Sequence, residues 1–254
     1  MADKKRLDML FYELASEDRI AILRELTKHS LKMQDVARKL DLTATEASRQ
    51  LQRMTHAKLI EREPEGTYTT THLGRLFLTL SASMEFVYKH DDYFLNHNLT
   101  KIPLPFVNRL GELSKGTFVA DLITDLARWE ELVKATKEYL WVMTPRAMGH
   151  LTQLSAVKLS EGVKIRSIMN EENRETNVML PSSKNAERKL IKEVPVIMII
   201  SEKEASVSFP SVRADGVTDF VSSFFGSDAA FLKWTKDLFL YYWEQAKIWF
   251  PNQN

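Results

Sequence analysis

The chain has 254 residues, 44% hydrophobic and 27% charged, a balance that excludes an intrinsically disordered protein and fits one large domain or two ordinary ones. It contains no cysteine, which excludes a disulfide framework and a thiolate metal site. The net charge is only +1, residues 1–6 are charged rather than apolar, and no run is long and apolar enough to span a bilayer; a cytoplasmic protein without membrane contact is expected.

Leu7 to Leu14 predicts a first helix. Ser16 then caps a second, with Glu17 and Asp18 in its first turn and Ile20, Leu23 and Leu26 on its inner face. Met33 to Leu40 predicts a short helix with Val36, Ala37 and Leu40 inward. Thr43 caps the next, over 43–57, whose apolar stripe is Ala47, Leu51 and Met54. Leu59–Glu63 and Thr67–Thr71 read as strands joined by a turn at Pro64-Glu65-Gly66. Helix, short turn, helix and hairpin is the order of a winged helix-turn-helix, predicted over residues 1–75.

Beyond the hairpin, Leu73, Phe77, Leu80, Met84 and Val87 recur at alternating spacings of 4 and 3, a coiled-coil-like seam. It serves either a homodimer through a helix over 76–95 or packing on the chain's own second half. Asn96–Pro105, with two prolines, is the expected link to a domain over 96–254. There, helices are expected at 118–139, 145–160 and 185–193, strands at 140–143, 163–169, 196–200 and 205–209, a polar loop at 170–183 and a closing aromatic helix at 228–250. This alternation predicts an α/β domain with a largely parallel sheet. The fold class is therefore α+β and multi-domain.

In a winged helix-turn-helix the second helix of the pair lies in the DNA major groove. Here its outer face is Ala44, Thr45, Ser48, Arg49, Gln52 and Arg53, with Thr43 at its start. Arginine can be bidentate to guanine and glutamine to adenine, while serine and threonine suit either base. Lys32, Arg38, Lys39 and Lys58 lie near enough in sequence to hold phosphate, and Arg62 is the base of the acidic wing, beside Glu63 and Glu65. Residues 19–75 carry 11 basic and 7 acidic side chains, an excess too small to indicate DNA by itself. The alternative is a winged helix used for protein contacts, with Arg49 and Arg53 as a solvated face.

The run Thr43-Ala-Thr-Glu-Ala-Ser-Arg-Gln-Leu-Gln-Arg-Met54 with Ala57-Lys-Leu-Ile60 resembles the recognition helix of arsenical-repressor-like regulators, and Tyr68-Thr-Thr-Thr-His-Leu-Gly74 resembles their wing strand and following helix. Where that family has glycine before the Leu-Ile pair, this chain has Lys58. Three further stretches, Phe94-Leu-Asn-His-Asn-Leu-Thr-Lys-Ile-Pro103, Tyr139-Leu-Trp-Val-Met-Thr-Pro145 with Gly162-Val-Lys-Ile-Arg166, and Phe231-Leu-Lys-Trp-Thr-Lys-Asp-Leu-Phe-Leu-Tyr-Tyr-Trp243, are similar to archaeal winged-helix regulators of the methanogenesis-regulatory type. That resemblance covers nearly the whole chain. It implies a transcription regulator, binding double-stranded DNA at a palindromic operator, with an effector or dimerisation domain.

The second half is also similar to the phospholipase-D-like fold, whose enzymes use a His-x-Lys pair; that half has none, since His150 is followed by Leu-Thr. The six histidines form no ligand cluster, Glu171-Glu172 suits loop solvation better than acid–base work, and there is no glycine-rich phosphate loop. No enzyme activity, metal or cofactor is expected. A sensed small molecule is expected at the ends of the parallel strands, with Trp141, Met143, Thr144, Arg146 and Asn170 as candidate pocket residues; the alternative makes Trp141 and Met143 plain core and Arg146 a surface charge. The remaining readings are an architectural DNA-binding protein without a ligand and an enzyme with an appended winged helix.

Overall fold

The computed structural model describes residues 7–173, 180–211 and 222–249. The chain divides into two compact units, Met1–Ala82 and Ser83–Asn254.

In the first unit the periodic apolar residues produce the expected helices: α1 (Leu7–Leu14), α2 (Glu17–Lys28), α3 (Met33–Lys39) and α4 (Ala44–His56), then strands β1 (Ile60–Arg62) and β2 (Tyr68–Thr70), and α5 (His72–Lys89). Ser16 accepts the Arg19 amide at the start of α2. Thr43 and Glu46 form a reciprocal capping box at the start of α4. The core is built by Ile22, Leu23 and Leu26 of α2, Val36 of α3, Leu51 and Met54 of α4, and Leu59 and Ile60. β1 and β2 pair antiparallel, Ile60 opposite Thr70, and Leu31 adds a bridge to Tyr68.

Two details hold this unit together at close quarters. Lys58 adopts φ +61°, and the Leu59 amide reaches back to the Met54 carbonyl at 3.0 Å, closing α4 with a left-handed residue where glycine costs least. At the start of α5, the Thr71 hydroxyl bonds the Lys58 carbonyl (2.7 Å) and receives the Gly74 amide (3.1 Å). A Cβ on Gly74 would lie 2.2 Å from the Leu59 carbonyl oxygen, so the Thr-x-x-Gly pattern is a requirement of helix-to-strand approach.

The second unit adds α6 (Asp91–Asn96), α7 (Leu104–Val107), β3 (Thr117–Val119), α8 (Leu122–Ala135), β4 (Tyr139–Met143), α9 (Gly149–Ser160), β5 (Lys164–Asn170), β6 (Ala186–Ile191), β7 (Ile197–Ser201), β8 (Ala205–Ser208), β9 (Ser223–Gly226), α10 (Ala229–Gln245) and β10 (Lys247–Ile248). They form one eight-stranded sheet in the order β10-β6-β5-β4-β7-β8-β9-β3. Strand alternation divides its side chains between two cores. Leu140, Ile165, Ile197 and Ile199 meet Trp129, Leu132 and Leu159 of α8 and α9; Met143, Ile168, Met198 and Ile200 meet Trp234, Leu238 and Phe239 of α10. β7 is buried on both faces, so each of its isoleucines contributes about 1.5–3 kcal/mol of burial.

Several expectations are corrected. The sheet is not largely parallel: among the described residues only β4–β5 and β5–β6 run parallel, and the other five pairings are antiparallel. The segment expected as a helix at 185–193 is strand β6, and the expected helix at 118–139 is β3 followed by α8. α9 starts at Gly149 rather than Pro145. α10 stops at Gln245, after which β10 adds an edge strand beside β6. The unit boundary falls inside α5, and Asn96–Pro105 is not a linker but part of the second unit, with Ile102 buried and the Asn98 amide on the Pro210 carbonyl (3.1 Å). Residues 174–179 of the expected loop, and Phe250 of the expected last helix, lie outside the described residues.

Candidate nucleic-acid interface

α4 presents a divided surface. Ala47, Leu51 and Met54 are fully buried, and Gln50 joins them, its side-chain carbonyl accepting from Arg19 at 3.2 Å. Arg19 is itself buried and also donates to the Tyr12 and Glu13 carbonyls at the end of α1. This link from α1 through α2 to α4 leaves no mark in local sequence patterns, because it joins positions 31 residues apart.

On the opposite face Thr45, Ser48, Arg49 and Gln52 are exposed. Arg49 pairs with no carboxylate among the described residues. Thr43 is exposed too, but its hydroxyl is engaged with Glu46, whose carboxyl is held below its ordinary value by the Thr43 hydroxyl and amide. Arg53 departs from the expectation of an outward base reader. Its guanidinium is bidentate to Glu13 of α1, at 2.9 and 3.2 Å, and lies 5.1 Å from the centre of the Tyr12 ring. The ion pair raises its pKa further.

The surrounding cations divide in the same way. Lys32 and Lys58 are exposed. Lys39 is paired with Glu25 (2.7 Å), which Lys28 and Lys39 together hold down to about 2, and Arg38 is paired with Asp35 (2.7 Å). In the β1–β2 hairpin, Arg62 leans on Tyr68 (6.0 Å), and the Glu63 carboxylate accepts the Thr67 hydroxyl at 2.6 Å. Gly66 takes φ +84° at the tip. The surface open to a ligand is therefore Thr45, Ser48, Arg49 and Gln52, flanked by Lys32, Lys58 and Arg62.

Residues 8–89 match a family model described as the HVO_A0261 N-terminal domain. The match runs from α1 to the end of α5, spanning the whole candidate surface. Among solved structures, TrmBL2, described as an archaeal chromatin protein with a novel mode of DNA binding, is 13% identical, covering 95% of this chain and 99% of its own, with TM-score 0.44. NucT from Helicobacter pylori is 11% identical, covering 53% of this chain and 99% of its own, with TM-score 0.43. Nuc from Salmonella typhimurium, a phospholipase D family member, is 8% identical over 49% and 90%, with TM-score 0.37. No curated protein matches. No residue role is carried over from these distant likenesses.

The pocket candidates of the second unit do not converge. Trp141 and Met143 face α10: Trp141 stacks on Phe239 with ring centres 5.1 Å apart, and Met143 is fully buried in the same core. Thr144 faces the other way, towards α9, with its hydroxyl on the Arg146 carbonyl (2.8 Å). The Arg146 side chain is exposed. Asn170 is structural, its carbonyl receiving the Val194 amide at 2.6 Å. The strand alternation separates these residues because odd and even positions of β4 serve different cores. The His-x-Lys triplet of the chain, His56-Ala57-Lys58, lies at the end of α4 in the first unit.

The seam is also redistributed. Phe77 packs into the first core and Val87 into the second, while Leu73, Leu76, Leu80, Met84 and Tyr88 form the exposed stripe of α5, Leu80 and Met84 at 62% and 61%. Among the described residues no group of three His, Asp or Glu side chains could hold a metal ion, and no helix is long and apolar enough to cross a membrane.

Proposed function

We propose that this chain is a cytoplasmic DNA-binding transcription regulator of the winged helix-turn-helix type, with α4 as the recognition helix. The observation that carries this reading is the division of α4. One face is fixed by the core and by Arg19, and the other presents Thr45, Ser48, Arg49 and Gln52 with no core role. These side chains suit base edges in a major groove, and Lys32, Lys58 and Arg62 suit flanking phosphates. The reading assigns the chain no catalytic step.

The protein acts as a homodimer on a palindromic operator, joined through the exposed stripe of α5. A stripe of leucine, methionine and tyrosine on one helix face is what a second copy of the same helix would cover, and a two-fold pair brings two recognition helices to two half-sites. An effector bound in the second unit would act by changing the spacing of those helices.

The test is a binding titration of the full chain against its own promoter fragment and a scrambled fragment, at two salt concentrations. The expected result is a preference for the promoter that survives the higher salt. Equal binding to both fragments, with a steep salt dependence, would replace this reading with that of an architectural DNA-binding protein.

A further inference from the structure

Between α9 and the sheet of the second unit lies a cavity of about 70 Å³. Its walls are mainly aliphatic and aromatic, among them Val142, Ile165, Ile199, Leu151 and Trp249. Five polar side chains also line it; the hydroxyls of Thr144, Thr152 and Ser155 donate to the Arg146, Met148 and Leu151 carbonyls, which leaves Ser167 and Arg188. Arg188 of β6 and Ser167 of β5 are direct cross-strand neighbours, each only 7% exposed. One terminal nitrogen of Arg188 is occupied, donating to the Leu180 and Pro181 carbonyls. Among the described residues its Nε has no partner, and neither has the Ser167 hydroxyl.

This combination is costly for a protein that holds nothing there. A buried guanidinium ordinarily faces a carboxylate, because desolvating a cation without a counter-charge is strongly unfavourable. Arg188 has no such partner among the described residues, and burial alone pushes its pKa down. The charge and the unpaired donors call for an anion. The apolar walls restrict which anion fits. Phosphate and sulfate carry oxygens on every side and would desolvate most of them against Val142, Ile165 and Ile199. A carboxylate has one charged end and one apolar end, which matches the division of the cavity. Size narrows the class further, since a dry cavity of roughly 150 Å³ holds benzene and this one is about half as large.

We propose that the cavity binds a short-chain aliphatic monocarboxylate of acetate to propionate size, its carboxylate received by Arg188 Nε and the Ser167 hydroxyl and its alkyl end against the aliphatic wall. The ligand deepens the effector part of the regulator reading and rests on that reading only for its consequence on DNA. A ligand of so few atoms binds weakly, with Kd in roughly the millimolar range.

The experiment titrates the full chain, without DNA, with sodium propionate and sodium acetate at ionic strength held constant by sodium chloride. Propionamide, 1-propanol and inorganic phosphate are the matched controls. Binding is read by melting temperature and by tryptophan fluorescence, with Trp249→Phe to assign the optical signal. Propionate is expected to saturate both signals, propionamide to bind at least about tenfold more weakly, and phosphate to behave as chloride does. Ser167→Ala, a change small enough to preserve the fold, is expected to weaken propionate several-fold, and Arg188→Lys to weaken it more. Equal binding of propionate and propionamide would overturn the proposal, and so would the absence of saturation by either carboxylate. Because DNA is left out, this result stands or falls apart from the promoter titration. Repeating that titration in saturating propionate then tests whether the site regulates DNA binding.

Discussion

Replacing Gly74 by alanine isolates the approach of α5 to the start of the β1–β2 hairpin. The added Cβ would sit 2.2 Å from the Leu59 carbonyl oxygen, 2.9 Å from Thr70 Cγ2 and 3.1 Å from Leu23 Cδ1. An ordinary carbon–oxygen contact of about 3.3 Å would require the helix to withdraw by about 1 Å. The obstructing atom is the backbone oxygen of the residue just before β1, held by the Thr71 amide at 3.1 Å, so a side-chain rotation gives no relief. Overpacking of this kind costs about 1–3 kcal/mol. Withdrawal also stretches the Thr71 hydroxyl bonds to the Lys58 and Leu59 carbonyls, now 2.7 and 3.1 Å, at about 0.5–1.5 kcal/mol each. The better helix propensity of alanine offsets about 1 kcal/mol. A net loss of about 1–5 kcal/mol is expected, which for a unit of this size lowers its melting temperature by roughly 4–40 °C. Calorimetry or circular dichroism on the full chain measures it. Gly149→Ala, where a Cβ meets nothing within 4 Å, serves as the control and should not destabilise. A Gly74→Ala protein melting within about 2 °C of the unchanged chain would refute the close approach.

Further outcomes follow from the same geometry. Arg49→Ala is expected to cost about 1–3 kcal/mol of affinity on the operator and less on scrambled DNA, and equal losses on both would assign Arg49 to phosphate. Arg53→Ala and Glu13→Ala should each lower the melting temperature, and the double change should cost less than the two together; strictly additive effects would mean that the pair contributes nothing. Lys58→Gly relieves a left-handed residue and should stabilise the first unit by about 0.5–1 kcal/mol, measured by urea denaturation, with destabilisation as the contrary result. His90 packs among Phe86, Phe118 and Phe224, and burial together with Lys89 holds its imidazole below the ordinary value. The unfolded chain therefore takes up the proton first, so stability is full above a pH of about 6.5 and declines as pH falls towards the folded value. The melting temperature should drop between about pH 7 and 5, less so in His90→Phe; parallel profiles for the two proteins would contradict this.

The first unit was legible because its signals are local. Ser16, the Thr43–Glu46 capping box and the three- and four-residue apolar spacings all lie within single helices. What escaped notice there depended on distance along the chain. Glu13, forty residues before Arg53, removes that arginine from the exposed face. On α5, the choice between Leu76 and Phe77 as the outward residue depends on where the core lies. In the second unit, Ala186-Glu-Arg-Lys-Leu-Ile191 is composed largely of good helix formers, yet pairing with β5 and β10 makes it a strand. Its alternation of Arg188 and Leu190 inward was the available signal. The sense of each strand left no mark in composition, so the antiparallel half of the sheet was unread. The cavity was missed because Ser167 and Arg188 are adjacent only through the β5–β6 register.

Arg19 also bears on how the chain can be dissected. Its guanidinium holds the last carbonyls of α1 and the buried amide of Gln50 at once. A fragment started at Ser16, just before the first residue of α2, would retain every side chain of the α4 outer face. It would nevertheless leave the Arg19 guanidinium with Gln50 as its one remaining hydrogen-bond partner among the described residues. The first helix is thus part of the support of α4, and deletion mapping that began after it would confound a loss of folding with a loss of function.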